Sequence, residues 1–92
     1  MLAVALVDFH DSMEKVLDGA TAKNAEEVIH TYLEANEKLQ QVEGEAKDAE
    51  ILQIRTNLEA VLKLAKEGTV EKLPAAGDTL KASFVKVYLQ RG

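Results

Sequence analysis

The sequence predicts an all-α protein, an antiparallel up-down-up-down four-helix bundle, and three observations carry that expectation. One proline and five glycines interrupt 92 residues, so helix breakers are scarce. Apolar residues recur by threes and fours in four separate stretches, and none alternates with the period of two that a half-buried strand needs. The links between the stretches are short, which sets successive helices side by side and antiparallel.

The first helix is expected from about Leu2 to Asp18. Leu2, Leu6, Phe9, Met13, Val16 and Ala20 step by four and three and form one apolar seam, with Gly19 as the expected stop. The second opens at "NAEEV", where Asn24 is a good N-cap and Glu27 stands at the capping-box spacing. Its seam is Ala25, Val28, Tyr32, Ala35, Leu39 and Val42. The third is expected from about Ala46 to Lys66, with Ile51, Ile54, Leu58, Val61 and Ala65 facing inward and Gly68 ending it. The fourth begins near Pro74, a residue suited to a first helical turn, and its seam is Leu73, Gly77, Leu80, Phe84 and Val87.

The link between the second and third helices is the least marked, because "VEGEAKDAE" has only Gly44 as a breaker. The hydrophobic phase argues for a turn. Continuing the second seam from Leu39 would place Ala46 and Gln53 inward, whereas the seam restarts at Ile51 and Ile54. The alternative is one continuous helix, which would force a domain-swapped dimer. In the bundle, the N-terminal half of the first helix lies beside the C-terminal half of the fourth.

Residues 1–92 make one domain with a modest core, so a homodimer would add stability. The net charge of −5 and the absence of a basic run argue against nucleic acid as a partner. The chain has no cysteine, which excludes disulfides, thiolate metal sites and covalent haem attachment. "MLAVALV" is too short for a membrane span, lacks a basic flank and meets Asp8 at once, so it reads as the start of a helix.

Few side chains suggest chemistry. His10 flanks the first seam, in a row with Leu6, Met13 and Leu17, where its imidazole could ligate a metal or haem iron or stand half-buried with one nitrogen in water. His30 is expected to point outward from the second helix, which argues against a two-histidine metal site. Asp8, Asp11 and Glu14 read as a solvated face. Asn36 and Arg55 border their seams, as partner contacts or as boundary residues that snorkel. Gly77 leaves room either for a flat ligand or for close approach of two helices. No nucleophile–base set, P-loop or dinucleotide fingerprint is present, so no enzyme is expected.

The stretch "LKLAKEGTVEKLPAAGDTLKASFVKVYLQRG", together with "NAEEV", resembles the cytochrome b-562 family, soluble periplasmic four-helix b-type cytochromes. The resemblance spans most of the chain, with a shortened link between the second and third helices. It implies a periplasmic electron carrier that binds one non-covalent haem b between its first and fourth helices and meets a redox partner protein. The family's histidine ligand aligns with Tyr88 and its methionine ligand with His10, or with Phe9 at an offset of one residue. Met13 stands on the same row as His10, and Arg91 lies near the family's basic residue at the propionates. Lys47 and Ile51 replace phenylalanines at the haem edge. The usual Met/His pair is therefore absent. Two states fit the residues: haem held by His10 and Tyr88, since imidazole and phenolate both ligate ferric iron, or a haem-free bundle whose pocket Met13, Phe84 and Tyr88 fill.

Overall fold

Local chemistry sets the end of each helix. The computed structural model describes residues 1–92. Helix α1 spans Leu2–Thr21, α2 Ala25–Glu45, α3 Ala49–Glu67 and α4 Leu73–Arg91, the last preceded by a 3-10 turn at Val70–Lys72. The Asn24 side chain accepts from the Glu27 N–H at 3.1 Å, which caps α2 as its spacing predicts. Pro74 lies in the first turn of α4. Gly68 ends α3 in the left-handed region at φ 75°, where a residue with a Cβ is strained.

Two boundaries differ from expectation. Helix α1 runs through Gly19 to Thr21. Gly19 is needed for close packing instead, because a Cβ there would lie 3.1 Å from Val28 Cγ2. The reversal comes from Lys23, at φ 56°. The Lys23 N–H donates to Ala20 O at 3.1 Å and the Asn24 N–H to Gly19 O at 2.9 Å, the paired bonds of a Schellman motif. Helix α3 starts at Ala49, later than Ala46, because Asp48 makes the cap. Its Oδ1 accepts from the Glu50 and Ile51 N–H groups at 3.1 and 3.2 Å.

Helix α1 packs on α2 and α4, and α3 packs on α2 and α4, giving the four-cornered bundle. The long dimension of 35 Å is close to one helix length, about 30 Å for twenty residues, so the helices run along one axis. Every seam position is buried except Leu2, Ala25 and Tyr32, which pack partly buried against the core. Ala5 and Leu17 join the core beside the α1 seam. Ser12 is the one buried polar residue, and its hydroxyl donates to Phe9 O at 2.9 Å. Gly77 takes the close-approach role, since a Cβ there would meet Ala20 Cβ at 3.3 Å.

Two polar clusters tie helices together at the bundle surface. Arg55 of α3 reaches α2, donating to Glu43 Oε2 at 3.0 Å through Nε and to Glu43 Oε1 at 2.8 Å through Nη2. Its Nη1 donates to Asn36 Oδ1 at 2.7 Å and to Glu59 Oε2 at 2.9 Å. The Tyr32 hydroxyl donates to the same Glu59 carboxylate. Burial, and then the neighbouring Glu59, push the Tyr32 phenol up to about 12. The Arg55 hydrogen bonds hold the Glu43 carboxyl below its usual range. The second cluster joins α4 to the start of α3: Arg91 Nη2 donates to Asp48 Oδ1 at 2.9 Å and to Glu50 Oε1 at 2.8 Å.

Hydrogen bonding from Arg91, aided by the α3 N–H groups, lowers the Asp48 carboxyl from 3.8 to about 2. A depressed carboxyl stabilises the fold above its unfolded value and loses that contribution as pH falls through the folded value. Asp48→Asn keeps an N-capping oxygen but removes the charge. The difference in melting temperature between native protein and Asp48→Asn should be constant above pH 3.8 and shrink towards pH 2. Thermal unfolding followed by circular dichroism across that range measures it.

Candidate functional site

The first and last helices meet through aromatic rings. Phe9 and Phe84 lie on the inward stripes of α1 and α4, and their ring centroids are 5.7 Å apart. One residue beyond Phe9, the His10 ring falls off the seam and lies against Phe84, centroids 5.5 Å apart and planes tilted by 33°. One helical turn beyond Phe84, Tyr88 stacks on the same ring at 5.7 Å and 21°. These side chains define a groove of ≈ 200 Å³ between α1 and α4, lined by Val7, His10, Met13, Lys81, Phe84, Val85 and Tyr88. Met13 and Phe84 are buried and form its floor, while half-exposed His10 and Tyr88 form its lips.

The structure thus brings three of the four sequence-derived site residues, His10, Met13 and Tyr88, to one groove. Arg91 is committed elsewhere, to Asp48 and Glu50 at the start of α3. His30 stands on the exposed side of α2. Around His10, both ring nitrogens lie beside carboxylates of its own helix, Nδ1 3.6 Å from Asp11 Oδ1 and Nε2 3.4 Å from Glu14 Oε1.

This geometry does not fit a haem between His10 and Tyr88. Small-molecule sites begin at about 300 Å³, and the groove offers ≈ 200 Å³. The Phe84 ring lies between the intended ligands, stacked on Tyr88 and tilted against His10, so a macrocycle could enter only by displacing it. Arg91, engaged by two carboxylates, would also have to leave them to reach a propionate. What the groove presents is a shallow apolar surface with an ammonium, Lys81, at its rim.

The surface outside the groove continues the apolar character. Val7, Val85 and Leu89 are exposed, the last at 79%. Sequence reasoning passed over this stripe, although the spacing of Val85, Tyr88 and Leu89 by three and four signals a second apolar face on α4. It also missed the polar cluster around Arg55. Asn36 and Arg55 were visible as boundary residues, and Glu59 lies one turn after Arg55 on α3, but Asn36, Glu43 and Tyr32 reach that pair only when α2 and α3 pack antiparallel.

No protein-family model, curated protein or solved structure matches the chain.

The floor and lips of the groove should respond differently to truncation. Phe84→Ala removes a buried ring shared by α1 and α4 and should lower the unfolding free energy by about 3–5 kcal/mol. His10→Ala trims a lip and should cost under about 1 kcal/mol. Urea unfolding of the two variants measures both.

Proposed function

We propose that this chain is a haem-free, cytochrome b-562-like helical bundle that acts by protein contact through the outer face of α1 and α4, with no catalytic step. The observation that carries this reading is Phe84, 2% exposed, stacked on Tyr88 and tilted against His10, where the resemblance would put the cofactor. Exposed Val7, Val85, Tyr88 and Leu89 supply the apolar centre of the contact face. Asp11 and Glu14, beside His10, edge it on α1, within a chain of net charge −5. The partner that complements this face is a protein helix with an apolar stripe flanked by lysine or arginine.

Titration with hemin tests the first half of the reading. No Soret shift should develop at micromolar hemin, and a sharp Soret band that weakens in His10→Ala would overturn it. The second half is tested by titrating a basic amphipathic model helix of leucine and lysine into labelled protein. Chemical-shift changes should centre on Val7, Val85, Tyr88 and Leu89, weaken with salt and disappear in Val85→Glu/Leu89→Glu. Shifts spread evenly over the surface, or unaltered in that double variant, would count against the face.

One observation favours a second reading, a periplasmic haem-binding electron carrier with a redox partner protein. His10 and Tyr88, the residues aligned with the family's ligands, border the same groove. That reading requires Phe84 to leave the groove, and the same hemin titration decides it.

A further inference from the structure

We propose that two copies of this chain exchange their α3–α4 halves, the link Ala46–Asp48 straightening so that α2 and α3 continue as one helix. The proposal rests on a difference among the three links of the bundle.

The outer two links are committed to reversal. Lys23 at φ 56° turns α1 into α2, and Gly68 at φ 75° turns α3 towards α4. Each is locked by paired bonds to the preceding helix: Lys23 and Asn24 to Ala20 and Gly19, and Gly68 and Thr69 to Ala65 and Leu64. The middle link has none of this. Ala46, Lys47 and Asp48 include no glycine, no proline and no left-handed residue. Ala46 is simply extended, at φ −153° and ψ 124°. Alanine and lysine both favour helix, so the Asp48 cap is the main local feature that opposes straightening.

The backbone is also close to continuous there. The Ala46 N–H already donates to Val42 O at 3.0 Å, and the Leu52 N–H to Asp48 O at 2.9 Å, both at the helical spacing of four. Only the N–H groups of residues 47–51 must change partners. Gly44, the glycine nearest the link, would meet nothing within 4 Å on gaining a Cβ, so no close packing holds the reversal at that point. The main loss is at Asp48, whose carboxylate would release the Glu50 and Ile51 N–H groups and Arg91. Arg91 keeps Glu50, which travels in the same half.

Exchange preserves the rest of the fold. The contacts between halves are those of α1 with α4 and α2 with α3. Phe9–Phe84, Arg55–Glu43, Arg55–Asn36 and Tyr32–Glu59 all cross between halves and re-form with the second copy unchanged. The balance between monomer and exchanged dimer is therefore set by the link and by concentration. The continuous helix from Ala25 to Glu67 would be about 65 Å long, with one complete α1/α4 groove towards each end.

The test is refolding from urea at micromolar and at millimolar protein, followed by size-exclusion chromatography with light scattering. Millimolar refolding should give a dimer that persists on dilution, because reversal requires unfolding. Asp48→Ala removes the cap and should raise the dimer fraction. Lys47→Pro suits the closed link, since Ala46 already has the extended backbone required before proline. It breaks the continuous helix, so the dimer-to-monomer constant should fall by more than about 100-fold. Insertion of three glycines between Lys47 and Asp48 should likewise abolish the dimer and serves if the proline variant folds poorly. Val85→Glu/Leu89→Glu should leave the dimer intact, which separates exchange from association through the α1/α4 face. Monomer alone under every condition, including Asp48→Ala, overturns the proposal, as does a dimer unaffected by the glycine insertion.

Discussion

The bundle depends on the packing of Phe84 against Phe9, because α1 and α4 are the one adjacent pair that no link joins. Three links bring α2, α3 and α4 into place in turn. Only side-chain burial brings the last helix back to the first. That closure puts His10 and Tyr88 on opposite lips of one groove and buries Met13 beneath them. The antiparallel hairpin of α3 and α4 separately brings the C-terminal turn of α4 to the start of α3, where Arg91 meets Asp48 and Glu50. The groove is a consequence of one apolar contact between α1 and α4, and the ion pair of the α3–α4 hairpin.

The polar clusters play a different part. The half-buried Arg55 has its fork filled by Glu43, Asn36 and Glu59, so its desolvation is offset by charge-assisted bonds. Such a network adds modest net stability, and its directed bonds hold α3 to α2 in the observed register. The core has little polar discrimination of its own, with Ser12 bonded within α1. Directed polar pairing between helices thus lies at the surface, while the interior supplies the bulk of the burial energy.

The fold was legible because each helix carries a single seam, and a residue's phase on a helix is local information. The seam assignments at Ile51, Ile54 and Leu58 hold even though the start of α3 was misplaced. That misplacement arose because Asp48 acts through its side chain as a cap, while Glu, Ala and Lys around it look equally helical. Gly19 was misread for the complementary reason: a glycine can mean a stop or a close approach, and only Val28 across the turn decides which. At the candidate site, the sequence placed His10, Met13 and Tyr88 near one another. It offered Phe84 as a filler of the space among them, and the side chain's position against both rings is set only in the packed bundle. Arg91 was beyond reach altogether, since its partners are more than forty positions away in the chain.

The two tyrosines have an optical consequence. The chain has no tryptophan, so its near-ultraviolet absorption and emission belong almost entirely to Tyr32 and Tyr88. They occupy opposite interfaces: Tyr32 bonds to the Glu59 carboxylate between α2 and α3, and Tyr88 lies on Phe84 between α4 and α1. The two phenols stand in different surroundings, one hydrogen-bonded to a carboxylate and one stacked on a ring. The protein therefore carries one intrinsic chromophore for each seam at which its two hairpins meet.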